Sequence, residues 1–217
     1  YVIRVAASDW NSTTGAGTGD LNNFFLSPAN QVGNGAVDMS DNDAVLTTGG
    51  TIVPQITMVA GTAGENNHNL DMGFHQKARL GDRVWEDLNM DGVQDAGEVG
   101  VAGVSVDLYR DFNNDGDYND PGENTPVGST VTNGLGNYQF DNLAPGNYRA
   151  KVTPPANYSL SPQTNTTDAT PGTAPEATGS DVNSTTGFSY NITLTANENE
   201  PDIDAGIFIE EPDANYI

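Results

Sequence analysis

Apolar and polar positions alternate along much of the second half of this chain, in short runs separated by Gly, Pro, Asn and Asp. A period of two is the mark of a strand with one face buried. The pattern predicts strands over Arg79–Trp85, Ser105–Tyr109, Thr130–Thr132, Asn137–Phe140, Gly146–Val152, Ser189–Thr195 and Ala205–Ile209. Turns are expected at Asn133-Gly134-Leu135-Gly136 and at Ala144-Pro145-Gly146. The tract Asn157–Ser180, rich in Pro, Thr and Asn, is expected to be long loop or sheet edge. Trp85, Tyr109, Tyr138, Phe140 and Tyr148 stand at alternating strand positions and are expected in the core. Trp10, among Ser, Thr and Gly, is expected at the surface. No stretch carries a helical apolar stripe, so the chain reads as all-β.

The two ends of the chain repeat one another. Tyr1-Val2-Ile3-Arg4-Val5 is similar to Tyr148-Arg149-Ala150-Lys151-Val152, and Leu26-Ser27-Pro28 to Leu160-Ser161-Pro162. Asn69-Leu70-Asp71-Met72-Gly73-Phe74 matches Asp202-Ile203-Asp204-Ala205-Gly206-Ile207-Phe208. Residues 1–76 therefore read as the second half of a domain, residues 77–209 as one complete copy, and residues 210–217 as a link onward or the start of another unit.

Between the first two strands of the complete copy lies Asp87-Leu88-Asn89-Met90-Asp91-Gly92-Val93-Gln94-Asp95-Ala96-Gly97-Glu98. Oxygen side chains at positions 1, 3, 5, 9 and 12, with Gly at position 6, form the pattern of an EF-hand calcium loop. Ca²⁺ takes six to eight hard oxygens at about 2.3–2.6 Å. Asp87, Asn89, Asp91, Asp95 and Glu98 can supply side-chain oxygens, and Val93 its carbonyl. The flanks are strands rather than helices, so this loop is expected to clamp a sheet. A second candidate, Asp111 to Glu123, begins in the same way with Asp111, Asn113, Asp115 and Gly116. Its glutamate comes one residue late, so Asp117, Asn119 or Asp120 can join Glu123 in completing a shell. A third candidate brings Asp181 and Asn183 toward Asp202 or Asp204, with Asp38, Asp41, Asp43 and Asp71 as counterparts in the first copy. The competing reading of this third group is Asx-turn chemistry, in which Asp and Asn bond their own backbone.

Charge sharpens the picture. Seven Lys and Arg against 30 Asp and Glu leave a formal net charge of −23. Such a chain repels nucleic acid and anionic membrane surfaces, and it resists compaction unless cations bind. Cysteine is absent, which excludes disulfides, zinc–thiolate sites and cysteine catalysis. No apolar run is long enough to span a membrane, and no leader peptide is visible in the sequence. No phosphate loop, nucleophile elbow or metalloprotease helix is present, and His68 and His75 lack a partner motif, so no enzyme activity is expected.

The residues Leu80-Gly81-Asp82-Arg83-Val84-Trp85-Glu86-Asp87, followed by the first loop and by Gly103-Val104, resemble the opening of the calcium-binding B domains of serine-aspartate repeat surface proteins. Gly136-Asn137-Tyr138-Gln139-Phe140-Asp141-Asn142-Leu143-Ala144-Pro145-Gly146-Asn147-Tyr148 resembles the middle hairpin that these share with collagen-adhesin B-type domains, and Asp204-Ala205-Gly206-Ile207-Phe208 their closing strand. The resemblance implies tandem prealbumin-like or immunoglobulin-like β-sandwich repeats with calcium-binding loops. It also implies an extracellular place, on a bacterial cell surface or secreted. Some collagen-adhesin-like domains form a Lys–Asn isopeptide bond; Gly81–Trp85 holds no lysine, so none is expected here.

Two functional classes follow. The first is a calcium-stabilised structural repeat of a stalk, adhesin shaft or filament, whose partners are neighbouring repeats or identical subunits. The second is a calcium-dependent adhesive or carbohydrate-binding module with a host or surface ligand.

Overall fold

A computed structural model describes residues 2–11, 16–21, 24–27, 44–47, 52–57, 72–166 and 178–210. The chain divides into two compact units, Tyr1–Lys77 and Ala78–Ile217. Asp38, Asp41, Asp43 and Asp71, the first-copy counterparts of the third candidate site, lie outside the described residues, as do residues 211–217.

The first unit contains β1 (Val2–Arg4), β2 (Trp10–Asn11), β3 (Ala16–Gly17), β4 (Phe24–Leu26), β5 (Val45–Leu46), β6 (Pro54–Thr57) and β7 (Phe74–Gln76). They form two antiparallel sheets, ordered β1-β6-β5 and β2-β3-β4-β7. Trp10 is buried, against the expectation from its neighbours; its ring centroid lies 6.2 Å from that of Phe74. Local composition misled here because the apolar contact comes from a strand more than sixty residues away.

The second unit contains β8 (Ala78–Glu86), β9 (Ser105–Asp111), β10 (Gly128–Val131), β11 (Asn137–Leu143), β12 (Gly146–Thr153), β13 (Tyr158–Leu160), β14 (Ile192–Leu194), β15 (Asn199–Glu200) and β16 (Ala205–Ile209). One sheet runs β11-β8-β16-β13, with β15 also beside β8; the other runs β10-β9-β12-β14. Both β15 and β16 lie parallel to β8, the first along its beginning and the second along its end. The other pairings are antiparallel. The inward faces meet in one core: Leu80, Val84, Tyr138, Phe140, Ala205 and Ile207 from the first sheet, and Val106, Leu108, Tyr148, Ala150, Val152, Ile192 and Leu194 from the second. This is a β-sandwich, and β8, β9, β11, β12, β14 and β16 contribute alternate residues to its interior.

Three sequence expectations shift. Tyr158–Leu160 is a strand inside the tract expected to be loop or edge, and it does form the sheet edge beside β16. Trp85 is fully buried but out of phase with Val84 and outside the interior cluster. It packs on the opposite face over Gly206, where an added Cβ would lie 3.0 Å from its ring and 2.9 Å from Ser161 Oγ. Tyr109 is likewise out of phase with Leu108; it is half-buried and meets Phe188 edge-on at 5.3 Å.

One pairing recurs in both units. In the second, Tyr158 faces Ile209, Ser159 faces Phe208 and Leu160 faces Ile207. In the first, Phe24 faces Gln76, Phe25 faces His75 and Leu26 faces Phe74. The next bond also matches: Ser161 N–H donates to the Gly206 carbonyl and Ser27 N–H to the Gly73 carbonyl, both at 2.9 Å.

Candidate metal centres

The first loop is the hairpin between β8 and residue 100. Glu86 N–H donates to the Val99 carbonyl at 2.8 Å, and Trp85 pairs with Gly100. Asp87 is buried; its two oxygens accept from Met90 N–H at 2.6 Å and Gly92 N–H at 2.8 Å. Glu98 reaches back to accept from Leu88 N–H and Asp95 N–H, each at 2.8 Å. The Asn89 amide nitrogen donates to both Asp91 and Asp95 at 3.0 Å. Met90 (φ 62°) and Gly92 (φ 77°) adopt the left-handed region that lets the backbone curl around these carboxylates.

The second loop joins β9 to β10 and repeats this scheme. Asp111 accepts from Asn114 N–H at 2.5 Å and Gly116 N–H at 3.0 Å. The Asn113 amide nitrogen donates to Asp115 at 3.0 Å and to Asp120 at 2.6 Å. Glu123 accepts from Phe112 N–H at 2.6 Å. Asn114 and Gly116 have positive φ, as Met90 and Gly92 do. The late glutamate is explained by one extra residue after the glycine. Asp95-Ala96-Gly97-Glu98 and Asp120-Pro121-Gly122-Glu123 then coincide, each closed by a Glu N–H to Asp carbonyl bond at 3.2 and 3.0 Å. Asp120 thus takes the place of Asp95. The Asp117 side chain turns to Asn119 N–H at 2.8 Å, and Asn119 is exposed.

The donor sets fit a hard cation. Asp111, Asp115 and Glu123 place carboxylate oxygens within 4.8 Å of one another, the one such grouping of three among the described residues. Glu123 Oε2 is buried and has no hydrogen-bond donor. Like charges this close need a cation or protons between them. In both loops the asparagine amide sits between two carboxylates, and a half-turn about its last bond directs its oxygen to the same point. The tighter carboxylate grouping is in the second loop, although the first has the more regular motif.

The third group gathers at the meeting of β8 and β16. Asp181 N–H donates to the Asp204 carbonyl at 2.9 Å, and Asp204 N–H to the Asp181 carboxylate at 2.5 Å. Asp204 also accepts from Arg83 N–H at 3.2 Å, and its carboxyl faces that of Asp82. Burial, and then the neighbouring Asp82 and Asp181, push the Asp204 carboxyl up to about 9. Burial raises that of Asp82 too. Asn183 is occupied otherwise: its oxygen accepts from Thr185 and Thr186 N–H at 3.0 Å, the Asx-turn arrangement. Sequence reasoning assigned no role to Asp82. The signal was its phase, since it alternates with Leu80 and Val84, whose side chains face the core.

The loops are tied to the sandwich. The Gly92 carbonyl accepts from Ser180 N–H at 2.8 Å and Thr164 Oγ1 at 3.1 Å, and Gln94 N–H donates to Thr178 at 2.6 Å. The first loop therefore holds both described ends of the connection from β13 to β14. In the second loop Tyr118 is buried, with the Arg149 guanidinium 4.0 Å from its ring centre. Arg149 also lies 3.9 Å from Phe188.

Comparison with known proteins agrees with this architecture. Residues 78–207 match the family model of the SdrD B-like domain. The chain is 34% identical over 149 residues to serine-aspartate repeat-containing protein F of Staphylococcus epidermidis, covering 67% of this chain and 8% of that protein. It is 36% identical over 107 residues to serine-aspartate repeat-containing protein E of Staphylococcus aureus (strain Newman), covering 48% and 8%. It is 38% identical over 98 residues to the bone sialoprotein-binding protein of Staphylococcus aureus (strain MRSA252), covering 44% and 8%. The chain thus spans under a tenth of the length of these relatives. With the family model covering the whole sandwich from β8 into β16, the chain belongs to the SdrD B-like domain family, the B-type domains of serine-aspartate repeat proteins.

Proposed function

We propose that this chain is a calcium-stabilised structural segment of an extracellular stalk or adhesin shaft on a bacterial cell surface, where it supplies spacing and rigidity. The observation that carries the reading is the matched pair of acidic loops, with Glu123 Oε2 buried beside Asp111 and Asp115 and lacking a donor.

Asp87, Asn89, Asp91, Asp95, Glu98 and the Val93 carbonyl would hold one ion. Asp111, Asn113, Asp115, Asp120 and Glu123 would hold a second, and Asp82, Asp181 and Asp204 a third. Loops of many oxygens without rigid octahedral order suit Ca²⁺ better than Mg²⁺. Each ion supplies positive charge among carboxylates that otherwise repel one another. The chain's own residues do the mechanical work: Gly92 and Gln94 tie the first loop to Thr164, Thr178 and Ser180, and Tyr118 rests the second on Arg149. A ligand that binds only the folded form stabilises it by RT ln(1 + [L]/Kd), about 2.7 kcal/mol at a hundredfold excess over Kd. Residues 1–76 would be the second half of a like domain and residues 77–209 a whole one, with neighbouring repeats or identical subunits as partners. An adhesive or carbohydrate-binding role receives less support. Phe188, a ring that could stack on a sugar, is already covered by Arg149 and Lys151.

The deciding experiment is thermal unfolding of the chain with excess Ca²⁺ and with EDTA. Chelation should lower the melting temperature of residues 78–210, and the combined Asp87→Ala and Glu98→Ala substitutions should remove the first loop's share. Identical melting curves would refute the proposal.

A further inference from the structure

Arg149 and Lys151 alternate along β12 with Tyr148, Ala150 and Val152, which face the core, so both belong to the outer face of the β10-β9-β12-β14 sheet. Their neighbours on that face are aromatic. The Arg149 guanidinium lies 3.9 Å from the centre of the Phe188 ring and 4.0 Å from that of Tyr118. Lys151 Nζ lies 5.2 Å from the Phe188 centre, and Tyr109 meets Phe188 edge-on at 5.3 Å. Backbone pairing holds Phe188 in place. It pairs with Lys151, and on either side Val152 N–H donates to the Gly187 carbonyl at 2.9 Å and Ser189 N–H to the Ala150 carbonyl at 2.8 Å. Phe188 and Tyr118 in turn restrict where the guanidinium can lie.

The pair lacks an acid. Acids outnumber bases 30 to 7 in the chain, yet among the described residues neither the Arg149 nor the Lys151 side chain has a carboxylate at ion-pair distance. Arg149 Nε is buried without an acceptor. Both residues remain partly exposed, so a ligand can reach them. A guanidinium stacked on rings still offers its terminal N–H groups to a planar anion, and less freedom is lost when one binds. The surrounding charge restricts that anion. Asp107 faces Lys151 across the strands, Asp111 faces Asn147, and Asp117 acts on Arg149 through space. A long polyanion laid on this face would meet these acids, whereas negative charge confined to two points would not. Two residues on one face of a strand are about 6.7 Å apart, at roughly 3.3 Å per residue, and alternate carboxylates on an extended peptide have the same spacing.

We infer that Arg149 and Lys151 form a docking site for an extended acidic peptide whose two carboxylates are separated by one residue, Asp/Glu-x-Asp/Glu with uncharged flanks. One carboxylate takes the paired N–H groups of Arg149, and the other sits on the Lys151 ammonium. Charge complementarity and spacing select this occupant. The inference rests on the ring-held cations and not on calcium, so melting with EDTA can fail or succeed independently of it.

The test is isothermal titration of the 217-residue chain, in a fixed excess of Ca²⁺, with the capped peptide Gly-Thr-Glu-Thr-Glu-Thr-Gly. Binding should weaken as salt rises and vanish when both Glu are replaced by Gln. A peptide with its two Glu adjacent should bind less tightly. Arg149→Lys keeps the charge but loses the paired donors and the stacking, and should weaken binding by about tenfold. Lys151→Gln, on the same face, should also weaken it, with a melting temperature close to that of the parent chain. Absence of binding at millimolar peptide overturns the inference, as does affinity unchanged in both variants. A sulfated oligosaccharide that binds more tightly than the peptide and is lost with Arg149→Lys overturns it too, since the face would then take a glycan. So does a dimer of the chain that dissociates on Arg149→Lys, since a second copy would then be the occupant.

Discussion

The carboxyl of Asp204, the residue just before β16, faces that of Asp82 on β8, the strand that runs parallel beside β16. Asp181 bonds the Asp204 backbone from a third segment. Acid against acid at a strand junction is unfavourable unless a proton or cation lies between them, and this makes the junction sensitive to conditions.

Stability without metal should fall as pH rises. The folded-state value of Asp204, about 9, lies above its ordinary 3.8. Between these limits the native state holds a proton that the unfolded chain releases, so the stabilisation is present at low pH and is lost as pH climbs through about 9. Melting in EDTA should therefore show a declining temperature from pH 5 to pH 8. Asp204→Asn should flatten that slope, and excess Ca²⁺ should oppose it, since a cation binds the deprotonated carboxylates. A slope unchanged by Asp204→Asn would show that other groups govern it.

Glu123→Gln should have opposite effects with and without Ca²⁺. The amide keeps an oxygen for Phe112 N–H and removes one buried charge from the group with Asp111 and Asp115. In EDTA the variant should melt no lower than the parent chain, while in Ca²⁺ it should lose most of the second loop's gain. Calorimetric scans in both buffers read the crossing.

Asn113→Asp should widen the response to the metal. It replaces the amide that bridges Asp115 and Asp120 with another negative charge. Calcium affinity measured by isothermal titration should rise as the chelated protein becomes less stable. A variant less stable in both states would assign Asn113 a structural role alone.

Gly92→Ala should destabilise the first loop by more than about 1 kcal/mol, the cost of a left-handed L-residue. The added Cβ would also lie 2.1 Å from the Pro162 carbonyl. Trp85 provides the readout. It lies two residues before Asp87, fully buried over Gly206. In a Trp10→Phe background its emission should shift to longer wavelength as the loop opens. An unshifted spectrum at reduced stability would place the damage elsewhere.

Much of the second unit was legible from the chain because its strands bury one face only. Val106 and Leu108, or Tyr148, Ala150 and Val152, stand two residues apart and mark the inward side without further information. The curl of the first loop was equally legible, since the spacing of Asp, Asn and Gly within twelve residues is a local property. Trp85 was harder. Its burial depends on Gly206 and Ser161, which approach from distant strands and enclose a face that periodicity assigns to the exterior. β13 was obscured by the Pro- and Thr-rich residues after it, and only its pairing with β16 makes it a strand.

The sequence by itself determined the all-β class, the two acidic loops and the repeated ends, because alternation, short-range spacing and similarity are all read along the chain. Tertiary structure decided which acids meet. It aligned Asp120 with the place of Asp95, turned Asn183 into its own backbone and brought Asp82 to Asp204 across parallel strands. The last of these depends on strand order and register between residues more than a hundred positions apart, which pairing across the sheet sets and local pattern does not encode.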